Sequence, residues 1–398
     1  MTAPSAHDTH QATCLRQALA ATLADEGAVT SPDWREAFAA VPRHLFTPRF
    51  FLHAEEGGYR AVDSTDPEWL ASVYSDRTLV TQLDADDSAW HRIRQAGPTP
   101  GRASSSSTQP RLMAWMLHAL DARPGMRVLE VGTGTGYNAA LLARLLGSDC
   151  VVSIDVDEAV TERARRALAT AGYRPRVEVA DGARGFPPAA PYDRVIATCS
   201  FPQVPAAWAE QTKPGGKIVT HLYTEFDAGG LVPLTVSEDG SASGRFLPEY
   251  GAFMPVRGYP APDTLALLHH ALRGDDDGAR TATTLAATEL TGPDFPLFAA
   301  LRTSGVAMHW FQPHDAPGML TWLLARDGSW AYQTLADDGL IAVQAGPRRL
   351  WDELEGHHHA WRAAGSPTRD RLGITITPGT DTHHIWIDHP RNPALTGP

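Results

Sequence analysis

The residues best suited to chemistry lie in one run, Val128-Leu-Glu-Val-Gly-Thr-Gly-Thr-Gly-Tyr137. An apolar strand there ends in a glycine-rich turn that opens straight into a helix. Glycine lets backbone come close to a ligand, and a helix N-terminus offers N–H groups with no acceptor inside the helix. In dinucleotide-binding proteins such a turn holds a pyrophosphate. Here the spacing is Gly132-x-Gly134-x-Gly136 rather than G-x-G-x-x-G, and an acid, Glu130, precedes it. A second acid, Asp155, ends the next expected strand 25 residues on, with Val156 behind it, where an acceptor for ribose hydroxyls belongs. A third, Asp181, followed by Gly182, ends the strand after that, placed to meet an adenine edge. Acids at three successive strand ends suit S-adenosylmethionine, which carries a ribose, an adenine, a sulfonium cation and an amino-acid end but no phosphate. The expected cofactor contacts are Glu130, Gly132, Thr133, Gly134, Gly136, Tyr137, Asp155, Val156, Asp181 and Gly182. For Tyr137 the competing reading is packing at the helix start.

These acids need a sheet to carry them. Residues 127–131, 150–155, 176–179, 192–198 and 217–221 read as strands, with helices over 137–146 and 157–171 between the first three. Strands alternating with helices imply a mostly parallel sheet with right-handed crossovers, so the expected fold is α/β, a Rossmann-like doubly wound domain. Upstream, Leu15, Leu19 and Leu23 mark one face of a helix over 13–27, and Ser31-Pro32 opens a second that ends near Val41-Pro42-Arg43. From 57 to 101 the composition turns to Asp, Pro, Gly and Ser; 72–76 and 78–81 read as short extended pieces, and 84–101 as a loop or lid. The run Ser104–Ser107 reads on composition alone as a flexible linker. It leads through Thr108-Gln109-Pro110 into a helix with Leu112, Trp115, Met116 and Leu120.

Beyond 229 the periodicity shortens. Residues 318–324, 330–335 and 341–345 suggest antiparallel hairpins, and Trp351, Leu354, His358 and Trp361 share a helix face. The expected organisation is a disordered tail over 1–12, a helical segment and substrate-side insertion over 13–103, the cofactor-binding domain over 104–229, and a C-terminal α+β domain over 230–398 that recognises a peptide. His357-His358-His359 is no metal motif, because consecutive helix positions diverge, and no other metal site is expected. The C-terminal tryptophans sit in apolar alternation and read as core rather than a ligand cage.

A formal net charge of −12 argues against a nucleic-acid partner. Cys14, Cys150 and Cys199 show no CxxC spacing and are odd in number, which fits a reducing compartment. No 18-residue apolar run and no signal-peptide core is present, so no membrane association is expected and a cytoplasmic location is.

Val41-Pro-Arg-His-Leu-Phe46, Tyr74-Ser-Asp76, Ser106–Pro110, Val128–Tyr137, Asp181-Gly182, Pro191-Tyr-Asp-Arg-Val-Ile196 and Lys213-Pro-Gly-Gly216 follow one another in an order that resembles the protein L-isoaspartyl O-methyltransferases. The resemblance covers about residues 13–225. It departs from the family at Ser106-Ser107-Thr108-Gln109-Pro110, where the usual pattern is Thr-Ile-Ser-x-Pro, and in the insertion and the C-terminal extension. A serine-rich approach with an extension is similar to the longer branch that modifies ribosomally made peptides alongside lanthipeptide or ATP-grasp (graspetide) enzymes. That resemblance implies methylation of an aspartate side chain in a precursor peptide, linear or already macrocyclised, with collapse of the ester to aspartimide or isoaspartate. Ser106, Ser107 and Thr108 would hold the carboxylate, catalytic in that sense. The competing expectations are an isoaspartyl repair enzyme with broad peptide tolerance, and an inactive peptide-binding module, against which the intact glycines and acids argue.

Overall fold

The computed structural model describes residues 9–259, 263–273, 277–311, 320–336, 339–380 and 382–392. Residues 1–8 of the expected tail lie outside them. The chain divides into two units: Met1–Cys199 with Pro205–Thr220 and Pro233–Ser241, and Ser200–Val204 with His221–Val232 and Ala242–Pro398.

The first unit begins with α1 (His10–Asp25), whose N-cap Thr9 accepts from the Ala12 N–H at 3.2 Å. That cap starts the helix three residues before position 13. Ser31 caps α2 (Pro32–Ala40) by position, and the fixed φ of Pro32 sets the first turn. A small antiparallel sheet follows, built from β1 (Arg49–His53), β2 (Tyr59–Asp63), β3 (Leu79–Leu83) and β4 (Ala103–Ser107) in the order β2-β1-β3-β4. Helix α3 (Trp69–Val73) and the turn after it replace the extended piece expected at 72–76. The stretch 84–101 is not a loop: it carries α4 (Ala89–Ala96), whose Ala89, Trp90 and Ile93 pack on Phe51, Ala61 and Leu83. Only one face of that helix is apolar, so the surrounding Asp, Gly and Pro hid it. Nor is the serine run a linker. It pairs with β3 as β4, with Ser105 and Ser107 turned inward and Ser104 and Ser106 half-buried.

The doubly wound part comprises α5 (Pro110–Leu120), β5 (Val128–Val131), α6 (Tyr137–Leu146), β6 (Val151–Asp155), α7 (Glu158–Thr170), β7 (Arg176–Val179), β8 (Tyr192–Phe201), α8 (Ala206–Glu210), β9 (Thr212–Tyr223) and β10 (Gly229–Val236). The strand order is β10-β9-β8-β5-β6-β7, and β7, β6, β5 and β8 run parallel. The α/β class expected from the alternation is the class observed. β5 is buried on both faces, which explains its continuous apolar sequence apart from Glu130. The chain leaves β5 for β6 on one side and returns to β8 on the other. Open α/β sheets bind ligands beyond the carboxyl ends of the strands at such a switch point.

In the second unit β11 (Ala242–Arg245) leads to α9 (Thr264–Arg273), β12 (Ala279–Ala282), α10 (Phe295–Ala300), β13 (Val306–Phe311), β14 (Leu320–Ala325), β15 (Trp330–Ala336), β16 (Gly339–Ala345), α11 (Leu350–Ala363), β17 (Leu372–Ile376) and β18 (His383–Ile387). Strands β12-β16-β15-β14-β13 form an antiparallel sheet, and β11, β17 and β18 pair antiparallel. The hairpins expected over 318–345 are β14, β15 and β16, although 318, 319, 337 and 338 lie outside the described residues. Trp322 stacks on Tyr332 at 4.5 Å, and Trp330, Trp351, Trp361 and Trp386 are likewise buried; Trp310 is only half-buried. On α11 the histidines diverge: His357 faces Arg302, His358 packs on Phe295, and His359 is exposed. Among the described residues no helix is long and apolar enough to cross a membrane.

Candidate functional site

Gly132, Gly134 and Gly136 have φ of +96°, +52° and +85°, a region that side chains disfavour. Space is as tight as geometry. A Cβ on Gly132 would stand 2.9 Å from Thr198 Oγ1 near the end of β8, and one on Gly136 3.2 Å from Ala164 Cβ on α7. A Cβ on Gly134 would stand 3.3 Å from the Ser106 carbonyl oxygen, so the glycine-rich turn and the end of β4 lie side by side. The Gly132 and Thr133 N–H groups donate to Ile154 O at 2.8 and 3.1 Å, and Thr198 Oγ1 donates to Gly132 O at 2.6 Å.

Two of the three acids shape this turn. Asp155 accepts from the Gly134 N–H at 3.0 Å through one oxygen and from the Asp157 N–H at 3.1 Å through the other, and remains half-buried at the end of β6. Glu130 is fully enclosed, with Asn138 Nδ2 donating to one oxygen at 2.7 Å and Ser153 Oγ to the other at 2.5 Å. Because Ser153 spends its proton on Glu130, Thr133 Oγ1 donates to Ser153 at 2.6 Å. Burial pushes the Glu130 carboxyl up to about 7, against the pull of those two bonds and with a further push from Asp155. Glu130 thus braces β5, β6 and α6 from inside. Asp181 is exposed and caps the turn Gly182–Arg184, its oxygen accepting from the Ala183 N–H at 3.0 Å; buried Gly182 is held by Trp208 Nε1 at 2.8 Å. Val156 leaves its apolar side chain 51% exposed beside Asp155, a surface suited to a flat ring. Tyr137 is buried against Phe38 and Phe46 under the Arg43 guanidinium.

The three hydroxyls expected to face a carboxylate are placed differently. Ser107 Oγ is buried and accepts from Arg43 at 3.3 Å, whereas Ser106 and Thr108 are half-buried at the strand end. Sequence reasoning gave Arg43 and Asp76 no role, although both stand in the segments that carry the family resemblance. Arg43 is fully buried and donates to the carbonyls of Val73, Ser75, Arg77, Ser107 and Thr108 at 2.8–3.3 Å; burial lowers its pKa to about 10, offset in part by Tyr137, Asp76 and Tyr74. Asp76 accepts from the Arg111 N–H at 2.9 Å and from Gln109 Nε2 at 3.1 Å, fixing the start of α5. For Arg43 the available signal was a charged residue in a segment with Val41, Pro42, Leu45 and Phe46. Gln82 was also missed: its Nε2 donates to Asp157 Oδ2 at 3.1 Å and Asp87 Oδ1 at 2.9 Å, and its Oε1 accepts from Ser104 Oγ at 2.9 Å. It ties the small sheet to the cap of α7. A cleft of about 270 Å³ beside the turn is lined by Gly134, Thr135, Thr81, Ser105, Arg49 and Arg163.

The family model described as protein-L-isoaspartate(D-aspartate) O-methyltransferase matches residues 84–228. The protein-L-isoaspartate O-methyltransferase of Pyrococcus horikoshii is 40% identical over 169 residues, covering 40% of this chain and 73% of its own. That of Thermococcus onnurineus is 34% identical over 245 residues, covering 59% of this chain and 90% of its own. A solved structure of a protein-L-isoaspartate O-methyltransferase shares the fold with a TM-score of 0.54 at 21% identity, covering 94% of this chain and 100% of its own. That coverage is too long to stop at residue 229, so the fold likeness includes the C-terminal extension. With relatives matched over most of their length and the glycine-rich turn, Asp155 and the β4 approach assembled in one unit, the chain belongs to the protein-L-isoaspartate O-methyltransferase family.

Proposed function

We propose that the chain transfers a methyl group from S-adenosylmethionine to the free carboxylate of an isoaspartyl residue in peptides and proteins. The observation that carries this reading is the contact between the Gly134 turn and the Ser106 end of β4, at the carboxyl edge of the parallel sheet. The residues present fit the cofactor: the left-handed glycines admit close backbone approach, Asp155 would accept from ribose hydroxyls, the exposed Val156 side chain would support the adenine, and Asp181 with Gly182 would meet its edge. When bound, S-adenosylmethionine supplies a methyl group on a positively charged sulfur. A carboxylate with a pKa of about 4 is already ionised at neutral pH, so the protein needs no general base. Its task is to hold the carboxylate in line and dry, a positioning effect that contributes roughly 7–11 kcal/mol. Ser106 and Thr108 donate hydroxyl hydrogen bonds that orient the carboxylate without neutralising it. Ser107, through Arg43, fixes the strand that presents them. The methyl ester then loses methanol as the next residue's backbone nitrogen closes a five-membered imide, which water reopens.

The precursor-peptide reading rests on the serine run and the C-terminal extension. The run is a paired strand whose Ser107 serves Arg43, and the extension falls within the fold likeness to a solved isoaspartate methyltransferase. Neither favours a dedicated precursor, so the repair reading is preferred. The test is mass spectrometry of an isoaspartyl peptide and its aspartyl twin after incubation with enzyme and S-adenosylmethionine. A methyl gain on the isoaspartyl peptide alone, followed by methanol loss, is expected. Methylation of neither, or of the aspartyl twin alone, sinks the proposal.

A further inference from the structure

The second unit contains a cleft of its own, about 550 Å³, that the reading above does not use. This lies within the range of roughly 300–1,000 Å³ typical of ligand sites. Its walls include Trp310, Pro293 and Pro296, with Tyr250 and Asp227 also in the lining. Trp310 is half-buried and Tyr250 is 65% exposed, unlike the five C-terminal tryptophans that complete the core.

Arg369 lines the same cleft and is only 4% exposed. Its terminal nitrogens donate to Gly229 O at 2.9 Å and Glu249 O at 3.4 Å, and its guanidinium lies 5.4 Å from the Tyr250 ring centre. Among the described residues its Nε has no hydrogen-bond partner and the guanidinium forms no ion pair. Asp294 is close, but accepts from the Arg369 backbone N–H at 2.8 Å rather than from the guanidinium. A buried cation with no carboxylate bonded to it is costly, and the nearby Asp294 offsets only part of the desolvation. An arginine fork matches a carboxylate by geometry as well as charge.

The remaining charges narrow the ligand. Asp227 is exposed in the lining, and the chain is acidic overall, with 46 Asp and Glu against 34 Lys and Arg. A polyanion would meet repulsion, whereas a single carboxylate that reaches Arg369 would not be penalised to the same degree. The tryptophan and proline walls accept the apolar neighbour of that acid.

We propose that this cleft is a second peptide-binding site, in which Arg369 receives one carboxylate and Trp310, Pro293 and Pro296 receive the apolar residue beside it. The choice of a peptide rather than a small free acid rests on the protein-substrate reading above; the carboxylate itself does not. The site gives the enzyme a way to prefer polypeptides that carry an acidic, apolar segment apart from the residue to be methylated.

The experiment is isothermal titration calorimetry of the full chain with acetyl-Gly-Leu-Glu-Leu-Gly-amide and its Gln twin, with no cofactor present. The Glu peptide is expected to bind at least tenfold tighter than its twin, and Arg369→Gln to erase that difference. Trp310→Ala, at a half-buried position, should weaken the Glu peptide severalfold and serves as the second variant if Arg369→Gln does not fold. The twin comparison needs no variant at all. Equal affinity for the two peptides, or no saturable binding up to about 1 mM, overturns the proposal. Because binding is read without methyl transfer, a failure of the proposed reaction would leave this result standing, and the two ideas fail separately.

Discussion

At the scale of single residues, Glu130 is the group whose charge the fold resists. Its carboxyl, ordinarily near 4.5, is raised to about 7 by burial. Below pH 4.5 it is protonated whether the chain is folded or not, and costs nothing. As pH rises from 4.5 to 7 the unfolded chain ionises first, so folded stability falls; above 7 the whole penalty, on the order of 3 kcal/mol, is present. Glu130→Gln keeps an acceptor for Asn138 and lets Ser153 reverse its bond. Urea unfolding from pH 4 to 8 should show a decline in the native protein that the variant lacks. Gly132→Ala is expected to abolish binding of S-adenosylhomocysteine, by more than about a hundredfold in calorimetry, because the Cβ meets both a left-handed φ and Thr198. These roles were legible to different degrees. The turn could be read from glycine spacing because chemistry and local backbone coincide there. The inward commitment of Ser107 could not, because its partner Arg43 is 64 residues away in the chain.

Between elements, Gln82 is the joint of most consequence. It sits where β3 and β4 lose register, and from there it bonds Asp157, the cap of α7, two residues after Asp155. Gln82→Ala removes two hydrogen bonds to carboxylates, Asp157 and Asp87, each worth about 1.5–3 kcal/mol at most, and the acceptor of Ser104. Part of that loss should reach the cofactor end of β6: S-adenosylhomocysteine is expected to bind about three- to tenfold more weakly in calorimetry, with a slightly lower melting temperature. Unchanged affinity would show that α7 is held without the joint. The elements themselves were readable wherever propensity and environment agreed. β7 and α6 match their expected limits because valines alternating with charged residues and an Ala/Leu run each mark one element. β4 was hidden because serine has little strand preference of its own; pairing to β3 and the Arg43 bonds supply what the sequence lacks.

For the molecule as a whole, the excess of acids gives a long-range field. Isoaspartyl peptides flanked by lysines should show kcat/KM falling about fivefold as salt rises from about 20 to about 200 mM, and peptides flanked by glutamates should show a rise. Parallel salt responses would mean that local contacts outweigh the net charge. Composition made this field visible from the outset, but it could not reveal how the two units interleave along the chain. The five carbonyls gathered by Arg43 carry a consequence for motion at this scale. They belong to residues 73–77 on one side and 107–108 on the other, and neither stretch can swing open without stranding a buried guanidinium. Amide hydrogens around both stretches should therefore report one common opening free energy in hydrogen exchange, as a single latch rather than as two loops.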